Sequence, residues 1–502
     1  MKLIYGVKDR PTPGRLVLFA LQQLLAILAA TIAVPMIVGN GMSIAAALFG
    51  AGAGTLIYLL FTKFRSPVFL GSSFAFIGSM TAAFAGGVSA SLGYLGLIIG
   101  AVFAGLVYVV IAVIIKFAGV KWIDKVMPAA VIGPTVALIG LSLSGSAVQN
   151  VLNGATFDAD LGSYLMNTHS LLSLLCALVT LAVTIVCSVY GKKMLKMIPF
   201  IIGILSGYAL ASVFTAFSYI PGAESMRIID FTIFSSMEWY PHFTFLEVFD
   251  GSLTPAEGAS IGSYIGTIAV AYIPVAFVVF AEHLADHKNI SSIIETDLLT
   301  DPGLSRTLLG DGVGSMVGAV FGGCPNTTYG ESIGCVAISG NASVLTIFVT
   351  ALLAIVASFV APFITFLASI PSCVMGGVCI ALYGFIAVSG LKMVQKVDLN
   401  DNGNLFTVSS VLIAGVGGMA LTFGKITLTA IACALILGIL TNLLVNINKK
   451  KEGHGEGVAA ETADTAEAAD TAAAAEEANE APAPVSGAAD TAEAEGDDGK
   501  IS

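Results

Sequence analysis

The sequence predicts an all-α protein that crosses a membrane many times, and three observations carry that expectation. Hydrophobic residues make up 56% of the 502 residues and charged residues 11%, whereas soluble domains carry about 25% charged residues. Apolar runs of about 20 residues, the length that spans a bilayer as a helix, recur along most of the chain. Basic residues fall on alternate connections between those runs, as they do when they face one side of a membrane. A mean hydropathy of +0.91 excludes a soluble enzyme.

In order, the expected spans run near 14–38, 43–62, 92–118, 127–149, 168–190, 197–216, 262–286, 304–322, 341–363, 370–390, 404–423 and 426–447. Two further segments, near 66–86 and 325–340, are apolar but broken by Pro, Gly and Ser. With both counted, fourteen spans put Lys8, Arg10, Lys63, Arg65, Lys116, Lys121, Lys192, Lys196, Lys288, Arg306, Lys392, Lys396 and Lys449 on one side, and Arg227 and Lys425 on the other. The positive-inside rule then places both termini in the cytoplasm. Removing either broken segment would scramble the alternation. No cleavable leader is expected, because the first apolar run is long enough to span.

The expected organisation is a cytoplasmic N-terminus (1–13), a first seven-span repeat (14–216), an external loop (217–261), a second repeat (262–447) and an acidic cytoplasmic tail (448–502). The tail has little to bury and much charge, so disorder is expected there. The seven cysteines lie in or beside apolar segments without metal-ligand spacing, which fits small buried hydrophobes. Met127-Pro128-Ala129-Ala130-Val131-Ile132-Gly133 matches Ile370-Pro371-Ser372-Cys373-Val374-Met375-Gly376, and the two broken segments are the third members of their halves. An odd number of spans per repeat inverts the second repeat. Inverted repeats with broken helices at matching places point to a transporter's midplane binding site.

The residues able to do chemistry gather at those breaks. Pro325 to Gly334 collects hydroxyls, an amide, Tyr329, Gly330 and the acid Glu331. Irregular backbone at membrane depth survives only where protein or a watery cavity surrounds it, and intramembrane acids are functional candidates by default. A carboxylate accepts hydrogen bonds when ionised and gains a donor when protonated, so it can hold substrate N–H groups and a proton in one place. The other break carries Ser72, Ser73, Phe74 and Phe76, with backbone N–H groups and ring faces for a planar ligand. Glu282 and Asp286, four residues apart, share one helix face, beside His283 and His287. Hydropathy alone puts that cluster near the cytoplasmic interface, where it would be solvated.

The stretches AEHLADH (281–287), DLLTDPGL (297–304), FGGCPNTTYGESIG (321–334) and FLGSSFAF (69–76) resemble the nucleobase–cation symporter-2 family, also called nucleobase–ascorbate transporters. Within it they are most similar to bacterial uracil permeases, and GVKDRP (6–11) and LQQLLAILAATIAVP (21–35) fit too. The resemblance covers about residues 5–447. It implies two inverted repeats forming a core domain (spans 1–4 and 8–11) and a gate domain (5–7 and 12–14), with short strands in spans 3 and 10. It implies proton-coupled uracil uptake at a bacterial inner membrane, often by a homodimer joined through its gate domains. Glu282 and Glu331 would bond the pyrimidine, helped by backbone at Phe74 and Gly330, with Tyr329 and Ser73 lining the site. Glu282, Asp286 and Glu331 stay open as carriers of the coupled proton, and Na⁺ stays open as the coupling ion; no other cofactor is implied. Two residues depart from the family's pattern: Gln22-Gln23 stands where many relatives have Gln-His, and Asp286 stands where some uracil transporters have His. The rival readings are a xanthine or urate symporter of the same fold and, from another class, a channel or anion pathway.

Overall fold

The described residues of the computed structural model are 3–192, 194–423 and 426–452; the acidic tail beyond residue 452 lies outside them. The described residues up to Leu443 form one compact unit.

Helix α1 (Pro13–Val38) opens on Pro13, whose fixed φ suits a first helical turn, and closes on Gly39 at φ 68°. It is followed by α2 (Ile44–Phe61), capped by the Ser43 hydroxyl on the Ala46 amide. The chain then breaks into strand β1 (Leu70–Ser72), a single 3₁₀ turn and the short α3 (Ile77–Ala83). Next come α4 (Ala90–Ala118), α5 (Ala129–Ser142), α6 (Thr168–Tyr190), the one-turn α7 (Met194–Met197) and α8 (Pro199–Phe217). Helix α9 (Ile261–Ile294) leads to α10 (Leu304–Gly322), strand β2 (Asn326–Thr328) and α11 (Gly330–Ser339). The chain continues through α12 (Val344–Ala357), α13 (Ala361–Ala368), α14 (Ser372–Val394), α15 (Asn402–Val416) and α16 (Ala430–Glu452).

Among the described residues nine helices are long and apolar enough to cross a membrane, or ten when α12 and α13, bent by 85°, count together. The expected spans outside that set are the two broken segments, α10 and the 15-residue α15. Helix α10 is long enough, but Arg306, Asp311 and its glycines dilute its hydropathy. Several boundaries differ from the sequence expectation, and at the end of the 404–423 span the helix stops at Val416, before Leu421–Phe423 pairs antiparallel with Ile426–Leu428. Helix α9 runs two turns past 286, because His283 and His287 are fully buried rather than solvated and no breaker follows them. The 341–363 span is not one helix, since it turns sharply between α12 and α13. All seven cysteines are free and buried.

The helices pack as two groups. Helices α1, α2, α4, α9, α10 and α12 surround the two strands, while α5, α6, α8, α14 and α15 pack mainly on one another. Glycine sets the spacing inside the first group. A Cβ on Gly54 of α2 would lie 2.6 Å from the Gly314 carbonyl of α10 and 2.4 Å from Asn326 Nδ2. Small residues of this kind let membrane helices approach closely. Gly54→Ala is therefore expected to cost about 1–3 kcal/mol by overpacking, read as a lower thermal midpoint in detergent; an unchanged midpoint would show that the contact is slack.

The loop between α8 and α9 folds back onto the first group. Its short helix Thr244–Glu247 packs on α4 and α10, and Phe243 meets Phe49 and Phe321 at ring separations of 4.9 and 5.5 Å. Beside it, the half-exposed His242 sits between Glu238 and Glu247, 3.2 Å from Glu247 Oε1. Burial pulls its imidazolium down, but hydrogen bonds and charge from Glu238 and Glu247 outweigh that and hold it above the ordinary histidine value. A raised folded value stabilises the loop fully below about pH 6.5, and that contribution is lost as pH rises through the raised value. Hydrogen exchange of residues 238–247, corrected for intrinsic rates, should therefore be faster at alkaline than at acidic pH. His242→Gln should remove the difference; a wild-type loop indifferent to pH would contradict the assignment.

Candidate functional site

The two broken segments meet in an antiparallel pair. Leu70 faces Thr328, Gly71 faces Thr327 and Ser72 faces Asn326. The Ser73 amide donates to Pro325 O at 2.9 Å and the Tyr329 amide to Phe69 O at 3.2 Å, so backbone groups that helix would have satisfied are satisfied here by the partner break. Gly71 has no side chain because the Tyr329 ring occupies that place, 2.3 Å from where a Cβ would stand. The Tyr329 hydroxyl then donates to Ser72 O at 2.9 Å. Asn326 Nδ2 donates to Gly50 O at 3.0 Å, tying the strand to α2.

Beyond the strands both chains turn back into helix, so α11 begins at Gly330 and the turn leading to α3 begins at Phe74. Helix N-termini carry unpaired amides and a partial positive charge, which suits hydrogen-bond acceptors placed between them. Glu331 lies in the first turn of α11. The preceding chain is held by Ser332, whose Oγ accepts from the Phe69 amide at 3.1 Å and from Gln23 Nε2 of α1; Gln23 also donates to Ser332 O at 3.2 Å.

A cavity of about 350 Å³ lies against these helix starts, within the range of about 300–1,000 Å³ typical of small-molecule sites. Phe74, Glu282, Asp286, Tyr329, Gly330 and Glu331 all line it. Ser73 does not: it is fully buried, and its hydroxyl has no partner among the described residues. Glu282 and Asp286, both half-buried, face the cavity from α9. Asp286 Oδ2 accepts from Thr328 Oγ1 of β2 at 2.7 Å, which links the acid-bearing helix to the broken segment. The opposite wall comes from α8 and α14, through Phe200, Phe385, Ile386 and Ser389. Phe74 meets Tyr383 of α14 edge to face, with centroids 5.6 Å apart. From there the cavity runs to Ser188, Lys196, Asn289 and Ile338.

His283 and His287 point the other way, into the core. His283 Nδ1 lies 2.7 Å from Asp311 Oδ2 and its Nε2 3.0 Å from Thr307 Oγ1. His287 stacks on His283 at 4.0 Å, and its Nε2 lies 2.7 Å from Tyr58 Oη, which donates to Ser66. The sequence reading missed Asp311, Thr328 and Lys196. Asp311 carries a usable signal, an acid midway along an apolar helix; Thr328 and Lys196 carry none, being a hydroxyl among hydroxyls and a lysine among loop lysines.

Residues 14–424 match the Xan_ur_permease model, described as "Permease family". The uracil permease of Bacillus caldolyticus is 39% identical over 88% of this chain and 95% of its own length. The chain belongs to this permease family. Another relative, the uracil permease of Escherichia coli (strain K12), is 33% identical over 91% of this chain and 98% of its own. Among solved structures, the transmembrane domain of the cyanobacterial bicarbonate transporter BicA matches with a TM-score of 0.57 at 16% identity, over 88% of this chain and 99% of that one. Murine Slc26a9, an anion transporter in the inward-facing state, matches with a TM-score of 0.58 at 12% identity, over 88% and 69%. At such identities the likeness is one of fold. The permease is thus a multi-pass membrane transporter rather than an enzyme, with the fold these anion transporters share.

Proposed function

We propose that the chain imports uracil by proton symport, alternating the exposure of its cavity between the two sides of a bacterial inner membrane. The observation that carries this reading is the meeting of Glu282, Asp286 and Glu331 with two helix N-termini around a single cavity at the breaks. A pyrimidine offers both N–H donors and carbonyl acceptors. Glu282 and Glu331 accept from its N–H groups, backbone amides at Phe74 and Gly330 donate to its carbonyls, and Phe74 and Tyr329 lie beside the ring. Ser73 supports this wall from behind. The coupled proton sits on Glu282, Asp286 or Glu331. The relatives' names, uracil permease in both, support the substrate.

In this reading the chain spans the membrane fourteen times as two inverted repeats, 14–216 and 262–447, with both termini cytoplasmic. Spans 1–4 and 8–11 move as a core against a gate of spans 5–7 and 12–14, and two copies join through their gates. The cavity then opens toward the cytoplasm. One proton moving inward supplies about 2.3 kcal/mol per 100 mV and about 1.4 kcal/mol per pH unit, which at about 100 mV and one pH unit supports a gradient of a neutral base of a hundredfold or more, roughly five-hundredfold.

Uptake by purified protein in liposomes, with pH and Na⁺ gradients imposed separately, tests this directly. Uphill uracil uptake driven by an inward proton gradient is expected. Uptake driven by Na⁺ alone would overturn the proton assignment, and preferential competition by xanthine or urate would overturn the substrate.

A further inference from the structure

Among the described residues that line the cavity, the charged side chains are Glu282, Asp286 and Glu331 on one wall and Lys196 on the other. Lys196 sits on α7, the one-turn strap that joins α6 to α8. The next residue, Met197, is buried against Ala26 of α1 and Cys335 of α11, so the strap is one place where the α6–α8 wall already touches the helix that bears Glu331. Few other charges face it. Helix α6 carries no acid or base except His169 at its far end, α8 carries none, α1 carries Arg15 in its first turn, and α11 carries Glu331.

We infer that Lys196 is the group that closes the cavity mouth over the empty, proton-free carrier. A symporter must return empty after releasing both cargoes, and it must not return carrying the proton alone. The charge arrangement separates these two cases. Once the proton has left, the ionised carboxylates draw the Lys196 ammonium, and the strap with it, across the mouth, with Met197 as the apolar contact about which the strap closes. While a carboxylate still holds its proton that attraction is weaker and the mouth stays open. The exposed position of Lys196 leaves it free to make this movement.

This inference rests on the proton-symport reading, and the test separates the two. Net uracil uptake requires the empty carrier to return; exchange of labelled for unlabelled uracil, saturating on both sides, does not. Lys196→Gln should slow net uptake about fivefold, equivalent to about 1 kcal/mol in a barrier, and leave exchange within about twofold of wild type, with Lys196→Arg restoring net uptake. Equal loss in both modes would place Lys196 in binding or folding, and no loss in either would make it a solvated bystander; each result overturns the inference. A wild-type protein that exchanges no uracil would instead remove the transport reading itself, and this inference with it.

Discussion

Glu331→Gln should abolish uphill uracil accumulation while leaving downhill movement measurable. The amide matches the carboxyl in shape and still accepts through its oxygen, but it cannot release or take a proton. Glu331 stands in the first turn of α11 and lines the cavity, where the proposed function places substrate. The accumulation ratio should fall from roughly several hundredfold, the gradient one proton sustains at about 100 mV and one pH unit, toward one. Uncouplers should then have no further effect. Labelled uracil uptake in cells or liposomes reads both quantities. Uptake that stays uphill and uncoupler-sensitive in the variant would remove Glu331 from the coupling role and leave Glu282 and Asp286. Those two separate in turn, because Asp286 is held by the Thr328 hydroxyl at 2.7 Å. Asp286→Asn retains an oxygen able to accept that bond, so a coupling defect in it would report the lost proton rather than a displaced strand.

Much of this was legible in the sequence because membrane physics is restrictive. Apolar length identifies spans, and an interruption such as Pro325 to Gly334 has few places to go except into a protein-lined cavity. That argument singled out Tyr329, Gly330 and Glu331 in one irregular segment, and the i, i+4 spacing put Glu282 and Asp286 on one helix face; that they line one cavity with Phe74 was implied only by the family resemblance. What stayed illegible depended on pairing. Nothing in a linear reading sets Gly71 opposite Thr327, which lies more than two hundred residues away, or joins Asp286 on its helix to Thr328 on a strand 42 residues later. Hydropathy also misjudged the end of α9. His283 and His287 look like a solvated interface, yet their polarity is satisfied by Asp311, Thr307 and Tyr58 in the interior. Ser73 differs for a simpler reason: it is fully buried beside the equally buried Ser72, and neither lines the cavity, which no composition argument reveals.

Asp311→Ala should be among the most destabilising single changes in the protein. Asp311 and His283 are both fully buried, with Nδ1 and Oδ2 2.7 Å apart. The bond joins α10 to the rear of α9, whose front presents Glu282 and Asp286 to the cavity. Removing one member of a buried hydrogen-bonded pair leaves the other without its partner in a poorly polarisable interior, a loss of about 1–3 kcal/mol. Against a total of about 5–15 kcal/mol, this should show as a depressed thermal midpoint and a reduced monodisperse yield in detergent. Because both partners can be removed, the cause can be isolated. His283→Ala alone should be similarly harmful, and the double variant should be less harmful than the sum, with a coupling of about 0.5–3 kcal/mol. Strict additivity would mean the two side chains stabilise the fold independently. An Asp311→Ala protein as heat-resistant as wild type would mean that glycine-mediated packing alone holds α10 in place, and that the acid face of α9 is positioned from the Thr328 side.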